Sequence, residues 1–519
     1  MKVIYNTCYA DPWIKVAQKL KDEYGYEPVY WNGYEDDNSQ NLVPQYFPDA
    51  IYHSYFDAWK GIFPKEINDR YKESYIDIDF IKEYAAYELQ AIKMMDRMDP
   101  DRYSFNFMER QRHFRNMLKY WIACIEHLKP DLVISAVVPH RIFDYVLYLL
   151  CKRHHIKYVT FRGFSFPGRM IPLRDIFSIG NILDYSNSPL LSNKLDRQTL
   201  IESIDSDILD SYVKINSNDY SLARPDFVIK SEVLHKESNG LFPLFKKFLK
   251  DILGPIKGRN YGNSEIKKQI FPTYLKERTK SVGKSNMSIA KYSLLKLRAN
   301  SYKVKLKNYY NSLVEYPDLN KPYVFYSLHY QPEATTSPSG DIFVDQMLCI
   351  EVLSKNIPSN YNIYIKEHPA QFHSHREGHT SRIKEFYEDL NNNPKVRLMP
   401  LDYDPFTLIK NSKAVATVTG TVGWEAMSLG KPVIIFGLAW YEKYYGVLKV
   451  VDELSASGIP RFINDFEFDE IKLLTYLSAF SKKSVKAYAY RGKKQNLKQS
   501  EDECIVNLSN SIIQMVNHD

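Results

Sequence analysis

Apolar runs and helical spacings alternate in two parts of this chain, one towards each end. Short runs rich in β-branched residues, such as 131–138, are followed by stretches with helical spacing, such as 142–154. Strands that alternate with helices of this length indicate parallel sheets covered by helices on both faces. The pattern therefore predicts an α/β fold with two Rossmann-like domains. The predicted strands are 2–6, 28–31, 131–138, 157–161, 323–328, 361–366, 396–398, 414–418 and 432–436.

The middle of the chain has a different composition. Between about 195 and 310 the sequence is polar and basic, is broken by Gly and Pro, and shows helical spacing without a strong strand. A chain of 519 residues also exceeds what one compact core supports, so two domains are expected. The predicted organisation is an N-terminal domain over 1–195, a basic helical insertion or linker over 196–320, a C-terminal domain over 321–490, and a helical segment over 491–519 that is expected to cross back onto the first domain.

Positive charge is concentrated in the middle segment. The whole chain has a formal net charge of +7, whereas residues 241–310 alone contain 17 Lys and Arg against 3 Asp and Glu. Within this block, 241–256 has an apolar face interrupted by lysines, which is typical of a helix at a membrane surface and equally of a helix packed on the protein itself. An anionic lipid surface, nucleic acid and solvent alone are all open as partners. No nucleic-acid recognition motif accompanies the block, so nucleic acid is not expected.

Cysteine usage and hydropathy bear on the compartment. The five cysteines are scattered and form no CxxC pair, so neither a disulfide framework nor a zinc site is predicted. The N-terminus begins as a strand rather than as a signal peptide, and no run approaches the ~20 apolar residues that span a bilayer. We therefore expect a cytoplasmic protein, with a peripheral position on the inner face of the cytoplasmic membrane as the alternative.

Two predicted strand ends in the C-terminal domain are followed by hydrogen-bonding side chains, at the edge where this fold binds ligands. The loop 328–338 offers Gln331 for donor binding and Glu333 for catalysis, and an ordinary capped loop is the alternative. The next strand ends in Lys366, followed by His368-Pro369. A His so placed can stabilise a phosphate leaving group, although a His-Pro pair alone is weak evidence.

A third loop joins a strand to a helix. Thr419, Gly420 and Thr421 form a turn where backbone N–H groups and hydroxyls at a helix start can bind an anion. Glu425, one turn into the helix, is placed either to bind ribose hydroxyls or to complement the helix dipole. The turn lacks the glycine spacing of dinucleotide-binding and P-loop motifs.

In this order and spacing, the three loops resemble the C-terminal domain of bacterial capsule and lipopolysaccharide biosynthesis glycosyltransferases. The resemblance covers about 321–446 and rests on His368-Pro369, Thr419-Gly420-Thr421, Glu425 and the run GKPVIIFG. It implies a GT-B fold, with two Rossmann-like domains that face a cleft. It also implies that the His-Pro and Ser/Thr motifs hold the nucleotide of the donor, often CMP, as in Kdo transferases and bacterial sialyltransferases. Thr stands here in place of the expected Ser pair, which leaves the identity of the donor open.

The N-terminal domain offers a second set of candidates. His140 and Asp144 lie four residues apart and share a face if a helix starts at once. Asp144 is then a candidate base or nucleophile, and His140 a candidate acid or orienting residue. The alternative is an Asp that satisfies backbone donors at a helix start. Arg162 and Arg169, in and beside a Gly-rich loop, are candidates for acceptor binding or for a surface role.

The motifs and the resemblance together predict a glycosyltransferase of capsule or O-antigen biosynthesis. The implied donor is a CMP-activated ulosonic acid such as Kdo or a sialic-acid relative, and the implied acceptor is a polysaccharide or a lipid-linked saccharide. No DxD motif occurs at a strand end, so a metal-independent enzyme with no cofactor besides its nucleotide-sugar donor is expected. The alternatives are a CDP-polyol phosphotransferase of teichoic-acid type and a non-catalytic partner in polysaccharide assembly.

Overall fold

The structure is a computed structural model that describes residues 1–34, 38–99, 101–164, 166, 168–182, 196–220, 288–374, 376–490 and 499–517. The chain forms two compact units. The first comprises Met1–Lys93, Phe107–Ser211 and Ile471–Asp519, and the second comprises Met94–Asn106 and Tyr212–Glu470. The predicted amphipathic segment 241–256 lies outside the described residues.

The strands and helices are numbered in chain order. The strands are β1 Lys2–Asn6, β2 Glu27–Gly33, β3 Ile51–Ser54, β4 Leu132–Ser135, β5 Lys157–Gly163, β6 Arg169–Leu173, β7 Tyr323–Ser327, β8 Asn362–Lys366, β9 Val396–Leu398, β10 Ala414–Thr417, β11 Val433–Ile435, β12 Val447–Lys449 and β13 Val485–Lys486. The helices are α1 Ala10–Tyr24, α2 Ser39–Tyr46, α3 Tyr55–Lys60, α4 Lys65–Glu73, α5 Ile78–Glu83, α6 Ala85–Met94, α7 Phe107–Leu128, α8 Ile142–Arg153, α9 Ile179–Ile182, α10 Arg197–Glu202, α11 Ser206–Asn216, α12 Ile289–Leu313, α13 Gln346–Asn356, α14 Lys384–Asn392, α15 Pro405–Asn411, α16 Thr421–Ser428, α17 Glu453–Ser457, α18 Ile459–Asp465, α19 Glu470–Lys483 and α20 Glu501–Asn517.

The first unit is built on a sheet in the order β13-β6-β5-β4-β1-β2-β3. Strands β1 to β5 are parallel to one another. The chain adds β2 and β3 on one side of β1 and then adds β4 and β5 on its other side, so the reversal point of this sheet lies between β1 and β4. The apolar runs predicted as strands are buried: every residue of β4 is buried, as are four of the five residues of β1. The predicted α/β class is thereby confirmed for this unit.

Helix α1 shows how local sequence sets an element boundary. It ends at Gly25, whose φ of 68° is left-handed and whose N–H donates to the carbonyl of Lys21 at 2.9 Å. Glycine adopts this conformation without the steric penalty that a Cβ imposes. The apolar face of α1 packs with α20 in one core, to which Trp13, Leu508 and Ile512 belong.

One edge of this sheet differs from the prediction of parallel strands. The segment after β5 was expected to be a loop, but Arg169–Leu173 forms β6, which pairs antiparallel with β5. The five residues between the two strands are too few for a crossover helix, so only an antiparallel return is possible. Strand β13 then pairs antiparallel with β6.

The second unit contains a sheet in the order β12-β11-β10-β7-β8-β9, in which every pair of neighbours is parallel. This is the doubly wound arrangement predicted from the apolar runs, and the α/β class is confirmed here as well. The chain winds outward from β7 through β8 to β9 and then returns to β10, beside β7. The long helix α12, in the basic segment, packs in the core of this unit through Leu306 and Tyr310.

Residues 471–490, which the sequence pattern placed in the C-terminal domain, group instead with the first unit. The hydroxyls of Ser203 and Ser478 lie 2.7 Å apart, and the hydroxyl of Ser481 accepts a hydrogen bond from the N–H of Asp205. The pairing of β13 with β6 extends the same attachment. These contacts join distant parts of the chain, so no local sequence pattern announces them.

Arg169 donates to the hydroxyl of Ser484 at 3.3 Å, so it anchors this attachment and gives a test of it. Its buried guanidinium donates to Asp207 at 2.6 and 2.7 Å and to Asp205 at 2.5 Å. We expect Arg169→Met to destabilise the first unit by about 1.5–3 kcal/mol, since it removes hydrogen bonds between charged groups. Urea unfolding followed by hydrogen–deuterium exchange of the first unit measures this. Lys152→Met, which removes an exposed pair with Asp175, is the matched control and is expected to cost about 0–1 kcal/mol. An Arg169→Met effect no larger than the control would contradict the anchoring role.

Candidate functional site

In the second sheet the chain adds β8 and β9 on one side of β7 and then adds β10, β11 and β12 on the other side. The point where the strand order reverses therefore lies between β7 and β10. Loops that follow two such strands diverge to opposite sides, and the crevice between them is where this fold binds ligands. Here the two loops also contact each other, because the Thr419 hydroxyl donates to the carbonyl of Thr335 at 2.8 Å. The candidate site is therefore formed by the ends of these strands and of the neighbouring β8.

The buried side chain of Arg382 connects two loops of this site through hydrogen bonds. Its side chain is 1% exposed. Its Nε donates to Glu367 at 2.8 Å, one terminal nitrogen donates to the Gln331 side chain at 2.5 Å, and the other donates to the carbonyl of His329 at 3.0 Å. One guanidinium thus ties the loop after β7 to the loop after β8.

Glu367 completes this buried cluster. Its carboxylate accepts from the hydroxyl of Tyr387 at 2.7 Å and from the backbone N–H of His368 at 2.7 Å, besides Arg382. Burial acts to lower the pKa of Arg382, but the adjacent carboxylate outweighs it and the pKa is raised. Because each charged group is paired and hydrogen-bonded, the cluster avoids the cost of an uncompensated buried charge.

His368 begins a short 3-10 turn over Pro369–Phe372. Its Nδ1 accepts a hydrogen bond from the N–H of Ala370 at 3.1 Å, so the proton of the neutral ring resides on Nε2. Burial lowers the pKa of His368 to about 3, and neighbouring positive charges act in the same direction. Among the described residues Nε2 has no hydrogen-bond partner, and the side chain is half-buried. His368 is therefore a neutral donor with a free N–H.

The turn after β10 is shaped by close contacts. The hydroxyl of Tyr441 donates to the carbonyl of Gly420, and a Cβ at Gly423 would lie 2.2 Å from that same hydroxyl. Only glycine allows the tyrosine to approach this closely. Thr421, the first residue of α16, is exposed, and its backbone N–H starts the helix without a partner among the described residues. An anion fits such a position.

Glu425 lies in α16 and is 8% exposed. It makes no hydrogen bond or ion pair with any described residue, and burial raises its pKa to about 8. A carboxyl in this state is protonated in a large share of molecules at neutral pH, and it can then both donate to and accept from a hydroxyl.

Two of the predicted donor-binding side chains are already engaged by the protein. The Gln331 amide accepts from Arg382 and Gln346 and donates to the carbonyl of Val344 at 2.7 Å. The Lys366 ammonium is 7% exposed and donates to the carbonyl of Leu401 at 2.9 Å. The structure thus shows both side chains bracing the loops, and donor binding by either stays a prediction.

Glu333 lies in the loop after β7, half-buried, and accepts from the Thr335 hydroxyl at 3.2 Å. Burial raises its pKa, while Arg97 and Arg376 act against the shift. Its backbone carbonyl also accepts from the N–H groups of Thr336 and Ser337, so the residue closes a turn as well.

The reversal point of the first sheet lies between β1 and β4. The loop after β4 carries His140 and leads into α8, whose first turn contains Asp144. Asp144 has no exposed surface. Its carboxylate accepts from the backbone N–H of Arg141 at 2.7 Å and from that of His140 at 3.1 Å. The His140 ring donates from Nδ1 to the carbonyl of Val138 at 3.1 Å, with Asp144 3.6 Å away. The geometry is the helix-start arrangement that the sequence left open as the alternative.

The two predicted acceptor-binding arginines are in different situations. Arg162 lies on β5 and is half-buried. Arg169 is buried in its ion pairs with Asp205 and Asp207, so its guanidinium donors are directed inward. In this structure Arg169 stabilises the fold rather than presenting a binding group.

Aromatic side chains follow the first three strands of the first unit, where no site residue was predicted. Tyr9, Tyr34 and Tyr55 come after β1, β2 and β3, and successive rings stack with centroids 4.0 Å apart. Arg141 lies over Trp59 at 3.8 Å and donates to the hydroxyl of Tyr55. Both faces of Tyr34 are covered by the other two rings and Tyr55 is buried, so the stack packs these strand ends together rather than presenting open ring faces. The signal available in the sequence was a tyrosine shortly after each strand.

Within the part of the chain that the structure describes, no three His, Cys, Asp or Glu side chains lie together in a way that would hold a metal ion. All five cysteines are buried, and no two of them form a disulfide. No described helix combines the length and the apolar character needed to cross a membrane.

Removing one partner of the Arg382–Glu367 pair tests whether this cluster supports the site. We expect Arg382→Met to destabilise the second unit by about 3–5 kcal/mol, because it leaves a buried carboxylate unpaired. Hydrogen–deuterium exchange of the strand-end loops, together with urea unfolding, measures the effect. Arg397→Met is the matched control: it removes a half-exposed pair with Glu315 at 3.5 Å and is expected to cost about 0–1 kcal/mol. Equal effects of the two variants would contradict the supporting role.

The role of Asp144 can be separated by two substitutions. We expect Asp144→Ala to destabilise the first unit by about 0.5–2 kcal/mol through loss of the helix cap, and Asp144→Asn to have little effect, since its amide oxygen still accepts. Thermal unfolding measures both. If Asp144 acts only as a cap, Asp144→Asn retains turnover of the donor. Loss of turnover in Asp144→Asn at unchanged stability would show that the carboxylate has a catalytic role.

Among the solved structures that partly resemble this chain are a Kdo transferase and a UDP-GlcNAc 2-epimerase. The beta Kdo 2,7 transferase of KpsC from Thermosulfurimonas dismutans is 12% identical, with a TM-score of 0.28, and the match covers 76% of this chain and 89% of that one. The UDP-GlcNAc 2-epimerase of Methanocaldococcus jannaschii is 13% identical, with a TM-score of 0.24, over 90% and 94% of the two chains. TM-scores this low support no conclusion about the fold or activity of this chain.

Sequence comparison gives a more local result. Residues 258–447 match the model of the family described as capsule polysaccharide biosynthesis protein. The capsule polysaccharide modification protein LipA of Neisseria meningitidis, from serogroups B and A, is 31% identical over 80 residues. That stretch is 15% of this chain, and it spans 10% of the length of those relatives. The predicted resemblance to capsule biosynthesis proteins is confirmed over the matched residues, which include all three strand-end loops of the second unit.

Proposed function

We propose that this protein is a glycosyltransferase of bacterial surface-polysaccharide biosynthesis and that its second unit binds the nucleotide of the sugar donor. The observation that carries the proposal is a pair of donors at the strand ends of that unit that have no partner among the described residues, namely Nε2–H of His368 and the N–H of Thr421. The match of this region to capsule polysaccharide biosynthesis proteins supports the biosynthetic role.

The chemistry follows from the ionisation states. A neutral imidazole N–H and a helix N-terminus both stabilise negative charge that develops on a phosphate oxygen when the bond from phosphate to the sugar breaks. Because His368 stays neutral at physiological pH, it supplies this stabilisation without bringing a buried positive charge. Glu425, when protonated, suits the hydroxyls of a ribose. This arrangement favours a metal-independent transfer.

The identities of the donor and of the acceptor are proposed from the resemblance of the motifs. The donor is a CMP-activated ulosonic acid such as Kdo or a sialic-acid relative, and the acceptor is a polysaccharide or lipid-linked saccharide bound by the first unit in a GT-B arrangement. The transfer forms a bond between an acceptor oxygen and the anomeric carbon and releases the nucleotide. The acceptor proton needs a base, and Asp144 is the carboxylate proposed from sequence. The protein is proposed to act in the cytoplasm, at the inner face of the membrane.

Nucleotide binding is the first test. In a thermal-shift panel of CMP, CDP, UDP and GDP, we expect CMP at ~100 times its dissociation constant to stabilise the protein by about 2.7 kcal/mol. His368→Ala is expected to weaken CMP binding by about 1.5–3 kcal/mol, because it removes a hydrogen bond to a charged group. His127→Ala, at an exposed histidine of α7, is the control and is expected to bind like the wild type. Since His368 donates as a neutral ring, affinity is expected to stay level from about pH 6 to 7.5, below the pKa of about 8 at which Glu425 loses its proton.

The outcomes separate the alternatives. Stabilisation by CDP rather than CMP would favour a polyol phosphotransferase, and a preference for UDP or GDP would keep the glycosyltransferase while excluding the CMP-linked donor. A steep loss of affinity between about pH 6 and 7, below the range in which Glu425 titrates, would show that an imidazolium charge carries binding, against the neutral-donor chemistry. No stabilisation by any nucleotide would contradict donor binding and favour a non-catalytic assembly partner.

A further inference from the structure

His329 directly follows Leu328 at the end of β7, on the opposite side of the reversal point from the turn after β10. Its side chain is nine-tenths buried, with 8% exposed. The ring lies against the start of α16, since a Cβ placed on Gly420 would be 3.3 Å from His329 Cε1 and 3.4 Å from Nε2. His329 is therefore part of the wall of the candidate nucleotide site.

The hydrogen bonds of the ring fix its tautomer. Nε2 accepts from the backbone N–H of Thr419 at 3.2 Å and lies 2.9 Å from the hydroxyl of Thr417. That hydroxyl accepts from the N–H of Gly420 at 3.1 Å, so its own proton is available to Nε2. An imidazole nitrogen that accepts carries no proton. The proton of His329 is therefore on Nδ1.

Nδ1–H has no hydrogen-bond partner among the residues that the structure describes, and it is not one of the fully enclosed polar atoms. Burial lowers the pKa of His329 to about 4, and the Arg382 charge acts in the same direction. His368 lies near enough for the two rings to influence each other electrostatically. Both histidines are thus neutral, each has one nitrogen occupied by a backbone N–H, and each presents its remaining N–H.

The start of α16 adds further donors beside this ring. The N–H groups of Thr421 and Val422 make no hydrogen bond to any described residue, as expected for the first residues of a helix. The Thr421 hydroxyl is likewise exposed and without a partner in the described chain. Donors from two loops therefore lie on the two sides of Gly420, and an oxyanion is the ligand class that satisfies several N–H groups at once.

We propose that His329 is a second phosphate-binding residue of the second unit, and that its Nδ1–H donates to a phosphoryl oxygen of the nucleotide. The proposal rests on the proposed function, because it assigns a new contact to the same nucleotide. It extends the site from the His-Pro motif to the far side of the reversal point. The proposal requires one particular tautomer of His329. Nδ1 carries the proton and donates to the phosphate, while Nε2 accepts hydrogen bonds from the protein itself.

Two substitutions separate donation to phosphate from support of the loop. In His329→Gln the side-chain oxygen can still accept from the Thr419 N–H, but the Nδ1 donor is lost. In His329→Asn the amide nitrogen takes the position of Nδ1 and keeps a donor there. We expect His329→Gln to weaken CMP binding about tenfold or more, as loss of a hydrogen bond to a charged group implies, and His329→Asn to recover part of it. Cytidine, which has no phosphate, is expected to bind His329→Gln as it binds the wild type.

Isothermal titration of CMP and cytidine, with melting curves of the free proteins, decides the outcome. Equal weakening of CMP and cytidine, or unchanged CMP binding in His329→Gln, would overturn the proposal. Nitrogen NMR of histidine-labelled protein, assigned with His329→Gln, gives an independent measure. Protonation at Nδ1 alone at about neutral pH is expected, and a proton on Nε2 would overturn the proposal even if CMP binds. Failure of the wild type to bind any nucleotide would overturn the proposed function, which the tautomer measurement does not depend on.

Discussion

Arg382 and Glu367 meet inside the second unit with both charged groups removed from water. A pair buried this deeply is stable only if every remaining donor and acceptor is satisfied, and the surrounding loops provide those partners. The carbonyl of His329, the amide of Gln331 and the N–H of His368 are all used in this way. The buried Arg382–Glu367 pair therefore helps to position both histidines, because it forms hydrogen bonds with the backbone of each.

Burial and the same buried charge together set what kind of donor the site contains. Burial is the main cause that lowers the pKa of His329 and of His368, and the Arg382 charge acts in the same direction, so both rings stay neutral. A neutral N–H costs less to desolvate than an ammonium or imidazolium and still stabilises a phosphate oxygen. Lys366 fits this picture, because its ammonium is directed to a backbone carbonyl instead of being left unpaired in the site.

The strands of the second unit could be predicted because β7 and β10 are continuous apolar runs. Strands β6 and β12 could not, since Pro172 argues against a strand at β6, and β12 is only three half-buried residues long and ends in Lys449, which interrupts the apolar run. The motifs at His368 and Thr421 could also be predicted, because each consists of residues that are adjacent in the sequence. Arg382 was not, because its partners come from separate loops and only the fold brings them together.

The reversal points of the two sheets have the same topology but different chemistry. In the first unit, the loop after β4 directs its carboxylate, Asp144, to its own backbone, and stacked tyrosine rings follow the neighbouring strands. In the second unit, the helix start and two imidazoles leave N–H groups without partners among the described residues. An anion gains hydrogen bonds at the second reversal point, whereas the Asp144 carboxylate and the tyrosine rings at the first contact groups of the protein itself. The shared topology therefore does not decide the ligand: the side chains and the helix start that follow the strands do, and in the second unit they suit a phosphate.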